Sequence, residues 1–313
     1  MSDAQAGIVW NPSKTTRKDL EGALAGATTG EVSWFETSED DPGRAATQQA
    51  LDAGVEVILA AGGDGTVRAV AEHLADTHAD ADLGIIPLGT GNLLARNLDI
   101  PIDDLPGAVS RALEGQPRPI DIGWAEVTLA EGAQRHAFAV MAGFGIDAHM
   151  ITETNDDLKD KAGWLAYVES LGRAVSASEV IDVRVSVDGK PVEDERAHTL
   201  IVGNCGTLQG GITLLPDADP ADGELDLLVL HDDGVAGWLD TMRNMVWDNG
   251  LKRLLTGGSE DQHAESSDAT THRRLTRLTV ELDEPRVFEV DGDDLEETTR
   301  IEITIQPNAI RIR

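Results

Sequence analysis

The sequence of 313 residues has little cysteine and no long apolar run, and each shortage excludes a class of protein. The single cysteine, Cys205, cannot form an intrachain disulfide, which fits a reducing cytoplasm. No stretch approaches the roughly 18 apolar residues of a membrane-spanning helix, and the N-terminus lacks the features of a signal peptide. We therefore expect a cytoplasmic protein whose membrane contact, on the inner face, is peripheral.

Basic residues are also scarce. Twenty-five Lys and Arg residues stand against 57 Asp and Glu residues, a formal net charge of −32. Nucleic-acid binding is disfavoured, because neutralising phosphates requires a basic patch. The acidity suits a salty cytoplasm with short screening lengths, and a moderately acidic bacterial proteome explains it equally well.

The first 118 residues alternate between strand and helix patterns. Strands are predicted at 6–10, 31–37, 55–61 and 83–89, and helices at 15–26, 43–53, 65–76 and 104–115. This alternation is typical of βαβ units and a mostly parallel sheet. The run Val57–Ala61 is apolar throughout, as in a strand covered on both faces.

After residue 118 the pattern changes to the apolar–polar alternation of antiparallel strands. Such segments lie at 120–130, 134–143, 180–192, 198–205, 223–231 and 277–282. Helices are predicted at about 158–176 and 235–255, and a mobile loop at 257–272. We predict an α/β nucleotide-binding domain at 1–118, joined by the C-terminal strand 306–313, and a β-rich, sandwich-like acceptor domain at 119–305.

A glycine-rich turn, Gly62-Gly63-Asp64-Gly65-Thr66, connects a predicted strand to a predicted helix. Glycines let the backbone approach a ligand closely, and a helix N-terminus attracts phosphate. A carboxylate among phosphates needs a bridging cation, so Asp64 suggests Mg²⁺. The alternative is an ordinary connection in which Asp64 is the N-cap. Neither a Walker A loop nor a GxGxxG fingerprint is present.

A second turn, Gly89-Thr90-Gly91-Asn92, follows the next predicted strand and leads into a short helix. The carboxyl ends of adjacent parallel strands lie at one sheet edge, where α/β proteins bind ligands. The pair of turns therefore favours a phosphate site more strongly than either turn alone.

The motifs GGDGT and PLGTGN resemble those of the diacylglycerol kinase catalytic fold, shared with sphingosine and ceramide kinases and more distantly with NAD kinases. Further segments follow the order of that family: VWNPSK, IDIGW, AGFGIDAHMI, KAGWLAYV, LLPDADPADGELDLLVL and FEVDGD. The similarity covers nearly the whole chain and is greatest to the soluble bacterial lipid kinases. It implies ATP and Mg²⁺ as cofactors and an α/β domain followed by a β-rich domain.

The resemblance also implies site residues. The residues implied to bind ATP are Asn11, Lys14, Gly62, Gly63, Gly65, Thr66, Gly89, Thr90 and Asn92. Asp293 is the implied acid–base residue, in a position where the family usually has Glu, although Asp291-Gly292 also predicts a plain hairpin turn. Asp64 is implied to act through Mg²⁺.

Two further groups of polar residues match the family. Asp121 and Lys161 are implied to act as a pair that orients the acceptor or positions the second carboxylate. The alternative is a strand-end aspartate and a solvated helix lysine with no such role. The side chains of Asp219 and Asp222, with the carbonyl of Glu224, resemble a structural Mg²⁺ site, and the alternative is a solvated acidic turn. One departure is Leu93, where many bacterial lipid kinases have Asp.

The leading hypothesis is an ATP-dependent kinase that phosphorylates a hydroxyl of diacylglycerol or a related lipid at a membrane surface. The alternatives are a NAD kinase-like enzyme and a catalytically silent nucleotide-binding regulator. Segment 235–255 carries Trp238, Met242 and Met245 at helical spacing, which favours packing on the protein itself, with membrane docking as the alternative. A homodimer is left open.

Overall fold

The structure is a computed structural model that describes residues 5–25, 32–129, 131–145, 180–208, 213–231 and 270–313. Within these ranges the first part of the chain alternates strands with helices. Its strands are β1 (Ala6–Trp10), β2 (Ser33–Glu36), β3 (Val57–Gly62) and β4 (Asp82–Pro87). Its helices are α1 (Arg17–Leu24), α2 (Arg44–Asp52), α3 (Asp64–Thr77), α4 (Leu93–Asn97) and α5 (Leu105–Glu114).

The four strands pair in the order β2-β1-β3-β4, and each of these pairs is parallel. Successive residues of β3 face opposite sides of the sheet. Ile58 and Ala60 pack in one apolar cluster with α2 and α3, whereas Leu59 and Ala61 pack in another with α1 and α5. Helices on both faces explain why β3 is apolar at every position.

The second part of the chain is strand-rich. Its strands are β5 (Arg118–Leu129), β6 (Gly132–Phe138), β7 (Met141–Phe144), β8 (Ile181–Val187), β9 (Glu193–Gly203), β10 (Leu225–His231), β11 (Thr270–Leu275), β12 (Arg277–Val290) and β13 (Asp293–Ile312). Strands β9 and β12 each pair with both β7 and β8, so these four strands form a closed ring. An apolar cluster that includes Phe138, Leu200 and Phe288 fills this part.

The last strand links the two parts. Strand β13 pairs antiparallel with β12 and β5, shifts register between Gln306 and Ile310, and then runs parallel to β4. At its end, Arg311 Nε and Arg313 Nε donate to the buried carboxylate of Asp82 at 2.6 and 2.8 Å. The final residues of the chain thus belong to the parallel sheet of β1 to β4, while the boundary at residue 118 stays a prediction.

The structure corrects two of the predicted elements. Segment 134–143 is not one strand, because a turn at residues 139 and 140 separates β6 from β7. Residues 270–272 are not loop, because they begin β11, which pairs with β10. The predicted helices at 158–176 and 235–255 lie outside the described residues. Among the helices in the described ranges, none is long and apolar enough to cross a membrane.

Candidate functional site

The two glycine turns contact each other backbone to backbone at the carboxyl ends of β3 and β4. The N–H of Leu88 donates to the carbonyl of Gly62 at 2.8 Å. A Cβ on Gly89 would lie 2.7 Å from Cα of Gly63, closer than real Cβ contacts come. Glycine at position 89 is therefore required for the approach of the turns, in addition to any ligand that they bind.

Asp64 connects the two turns. One carboxylate oxygen accepts from the N–H of Asn92 at 2.8 Å, and the other accepts from the N–H of Leu93 at 2.6 Å. These N–H groups open α4, so Asp64 caps that helix from a position 28 residues earlier. The predicted alternative, in which Asp64 is the N-cap of its own helix, is wrong, because Gly63 occupies that position.

Asn92 shapes the second turn from within. Its backbone is left-handed, with φ of 49°, and its side chain is buried. The amide oxygen accepts from the N–H of Gly89 at 2.9 Å, and the amide nitrogen donates to the carbonyl of Gly89 at 2.7 Å. Asn92 therefore holds the turn that would face a ligand, and Thr90 is exposed at its tip.

The loop after β1 lies against the first turn. The side-chain oxygen of Asn11 accepts from the N–H of Ser13 at 2.9 Å, and its backbone N–H donates to Ala61. This geometry places Lys14 over the glycines: its Cε would be 3.9 Å from a Cβ on Gly63. Lys14 is exposed, so its ammonium group is available to an anion at this turn.

Within the first turn the residues have different tasks. Thr66 is buried, and a Cβ on Gly62 would meet its side chain at 2.5 Å, so this glycine accommodates the following helix. A Cβ on Gly65 would have only the carboxylate of Asp293 nearby, at 3.8 Å. Gly65 thus leaves open space at the beginning of α3, facing Asp293.

Asp293 begins β13 after the two-residue turn Asp291-Gly292, whose φ values of 49° and 87° are those of a type I′ hairpin. The hairpin and the predicted site therefore coincide. The carboxylate of Asp293 accepts from Nη2 of Arg68, on α3, at 2.5 Å. The Asp293 side chain is 51% exposed, which leaves it accessible to a substrate.

Asp291 belongs to the site although the sequence marked it only as a turn residue. Its buried carboxylate accepts three backbone N–H groups, from Ala139, Val140 and Met141, at 2.8 to 3.0 Å. Burial raises the pKa of Asp291 to about 6, while the three N–H donors and Arg68 oppose the rise. Asp291 thus anchors the hairpin to the turn between β6 and β7, and the hairpin carries Asp293.

Asp121 lies elsewhere. Its buried carboxylate accepts from the N–H of Gly223 at 2.7 Å and from the N–H of Asn308 at 2.6 Å. These bonds join β5 to the 217–224 turn and to the irregular part of β13. The geometry gives Asp121 a structural task; its predicted partner Lys161 lies outside the described residues, so their joint role stays a prediction.

The acidic turn at 217–224 forms ion pairs with an arginine side chain of the protein. Arg274 forms ion pairs with Asp222 and with Glu224, the latter at 2.9 Å. The carboxylate of Asp219 accepts from the N–H of Ala221 at 3.0 Å. In the described ranges, no three His, Cys, Asp or Glu side chains are grouped to hold a metal ion. The predicted metal role of this turn stays a prediction.

An apolar cleft lies beside the two glycine turns. Its lining includes Leu93, the residue that follows the second turn, and Gly292 of the hairpin. The cleft is otherwise lined by Met141, Ala142, Gly143, Phe144, Ile201, Leu208, Leu214 and Glu289. A compound that fills it would have an apolar body and would contact Gly292, the neighbour of Asp293.

Comparison with known proteins agrees with this geometry. The model of the diacylglycerol kinase catalytic domain matches residues 8–125, and that of the YegS C-terminal NAD kinase beta sandwich-like domain matches residues 140–313. The chain belongs to the diacylglycerol kinase family. It is therefore an enzyme of the phosphotransferase class that uses an alcohol acceptor.

Individual members of the family align over most of this lipid kinase-like chain. A probable lipid kinase YegS-like of Pseudomonas aeruginosa is 33% identical over 276 residues, which cover 88% of this chain and 82% of that protein. A diacylglycerol kinase of Bacillus subtilis is 28% identical, covering 82% and 77%. The crystal structure of a putative diacylglycerol kinase from Bacillus anthracis covers 100% and 97%, with 22% identity and a TM-score of 0.74, and it supports the fold alone.

Proposed function

We propose that this enzyme transfers the γ-phosphate of ATP, supplied with Mg²⁺, to a hydroxyl of diacylglycerol or a related lipid. The observation that supports the proposal best is the continuity of two surfaces. The first glycine turn offers backbone N–H groups to phosphates, with Lys14 beside it, and Leu93, which follows the second turn, lines the apolar cleft. A lipid in the cleft would present its hydroxyl where Asp293 faces Gly65.

Each part of the proposed site has its own role in the transfer. The N-terminus of α3 and the ammonium of Lys14 would hold the phosphates of ATP, because both carry positive charge towards the turn. Asp293 would accept the proton of the acceptor hydroxyl while the hydroxyl oxygen forms its bond to the γ-phosphorus. The bond between the γ-phosphorus and the bridging oxygen breaks, and ADP leaves with that oxygen.

Mg²⁺ enters this proposal with the nucleotide. Both oxygens of Asp64 accept backbone N–H groups, and Asp293 is paired with Arg68, so the described residues do not fit a resident cation at the turns. A cation held mainly by ATP phosphates needs few protein ligands. We therefore treat it as part of the substrate, MgATP.

The test is a transfer assay with radiolabelled ATP and Mg²⁺, and with diacylglycerol, sphingosine, a polyprenol, a glycolipid or NAD as acceptor. Label in a lipid product supports the proposal. Label in NADP would support a NAD kinase-like enzyme, and ATP binding without transfer would support a silent regulator. Asp293→Asn should lower kcat at least a hundredfold; a near-normal kcat would remove Asp293 from the mechanism.

The lipid substrate requires contact with a membrane surface, and we propose that segment 235–255 provides it. The segment lies outside the described residues, so the proposal depends on Trp238 and Trp247 in its sequence. Sedimentation with phosphatidylcholine–diacylglycerol liposomes should decrease for the Trp238→Ala, Trp247→Ala double variant. Unchanged sedimentation would mean that the segment packs on the protein.

A further inference from the structure

The ion pair between Arg68 and Asp293 joins the two parts of the molecule at the reacting end of the cleft. Arg68 is on the second turn of α3, and Asp293 begins β13, 225 residues later. The Arg68 side chain is only 17% exposed, although the carboxylate that it meets is half exposed. A largely buried guanidinium therefore reaches outwards to hold an accessible carboxylate.

The surroundings of Arg68 show what fixes its guanidinium. It lines a narrow recess together with Asp64, Asn92 and Asp291. Asp64 and Asp291 are carboxylates whose oxygens accept backbone N–H groups, so both are held in place, and the charge of Asp291 interacts with that of Arg68. Among the residues that the structure describes, buried Nε of Arg68 has no hydrogen-bond partner.

An unpaired buried donor is unfavourable, and native proteins tolerate few of them. The unpaired Nε is understandable if the side chain is oriented so that its Nη2 group can bind Asp293. That end contacts the carboxylate oxygen of Asp293 that lies 3.8 Å from a Cβ on Gly65. The same oxygen thus faces both Arg68 and the beginning of α3, where the phosphates of the proposed function would bind.

We propose that Arg68 is a positioning residue, which holds Asp293 at the phosphate turn so that its carboxylate meets the acceptor hydroxyl. This inference rests on the proposed function. Arg68 acts through Asp293 and not on the nucleotide. Because proton transfer depends on the placement of the base to within about 1 Å, loss of Arg68 should lower kcat without weakening ATP binding.

The experiment compares Arg68→Met, Arg68→Lys and the control Arg300→Met, which removes another arginine paired with carboxylates, on β13 but outside the cleft. Arg68→Met should lower kcat for the lipid acceptor about ten- to a hundredfold and leave KM for ATP within twofold. Arg68→Lys should recover part of the loss, and Arg300→Met should match the wild type. An unchanged kcat in Arg68→Met would overturn the inference.

Two further measurements separate this role from others. In an Asp293→Ala background, adding Arg68→Met should lower kcat no further, because a positioning residue has nothing left to position. A second full loss there, or a large rise in KM for ATP, would mean that Arg68 binds phosphate, which contradicts the inference.

If the wild type transfers phosphate to no acceptor, the proposed function fails, and the position of Asp293 is then read directly. Crystal structures of the wild type and Arg68→Met would be compared at this carboxylate. Displacement of Asp293 away from Gly65 in the variant supports positioning by Arg68. An unmoved carboxylate overturns it.

Discussion

Replacing Asp64 with Asn tests whether this carboxylate holds the two glycine turns together. In the wild type it accepts two backbone N–H groups, from Asn92 and Leu93, at 2.8 and 2.6 Å. An Asn side chain has one acceptor oxygen, so its NH₂ group would face one of these donors. The variant therefore loses one charge-assisted hydrogen bond and keeps a neutral version of the other.

The expected cost follows from those two bonds. A hydrogen bond to a charged group contributes about 1.5–3 kcal/mol, and a neutral one about half as much. The free energy of unfolding should fall by about 2–4 kcal/mol, which at this chain length lowers Tm by about 3–6 °C. The measurement is a thermal melt without nucleotide or metal ion, so that a purely catalytic role of Asp64 contributes nothing to it.

The matched control is Asp52→Asn. Asp52 is exposed at the end of α2 and accepts one bond from Gln48, and its substitution removes the same unit of charge. Its Tm should stay within about 1 °C of the wild type. Equal melting of Asp64→Asn and the wild type would refute the structural role and return Asp64 to the cation role that the sequence suggested.

Three further outcomes are expected. Gly89→Ala places a Cβ 2.7 Å from Cα of Gly63, so it should lower the free energy of unfolding by about 1–3 kcal/mol in a denaturant titration and raise KM for ATP. The control Gly22→Ala, whose Cβ would have no atom within 4 Å, should leave stability unchanged or increase it. Equal stability of the two variants would contradict the close approach of the turns. Leu93→Gln puts a polar group into the lining of the apolar cleft, so KM for a long-chain diacylglycerol should rise about tenfold while KM for ATP stays constant, and an unchanged lipid KM would exclude this cleft as the acceptor site. Burial and neighbouring carboxylates raise the pKa of Asp226 to about 6 from 3.8, so the folded state binds the extra proton and stability falls as pH rises through that window. Asp226→Asn should match the wild type in Tm at pH 4 and exceed its unfolding free energy at pH 7.5 by about 1–2 kcal/mol, a figure reduced for solvent screening, and a constant difference across pH would contradict the assignment.

Local patterns were sufficient for most elements of the first part of the chain. The apolar run at 55–61 became β3 (Val57–Gly62), and the helix predicted at 65–76 became α3 (Asp64–Thr77). The pair Asp291-Gly292 formed the hairpin that its residue types require. The prediction of one strand at 134–143 was wrong for an equally local reason. The turn between β6 and β7 falls at Ala139 and Val140, and neither residue is a glycine or proline that would mark a turn.

Long-range pairings escaped the sequence. Arg68 had no feature that separated it from other helix-surface arginines, because its partner lies 225 residues away. Asp121 matched a family position, yet both its oxygens bind backbone N–H groups of distant turns. Hydrogen bonds of this kind leave no periodicity in the sequence, so only the folded chain reveals them.

The sequence by itself determined the glycine turns, the helix that begins at the first of them and the hairpin with Asp293, because backbone sterics and turn chemistry act over a few residues. The tertiary structure decided what those pieces do together. It brought Gly63 into contact with Gly89, allowed the carboxylate of Asp64 to cap α4, and paired Arg68 with Asp293. The first two contacts depend on the pairing of β3 with β4. The third depends on the pairing of β13 with strands from both parts of the chain, which no local signal specifies.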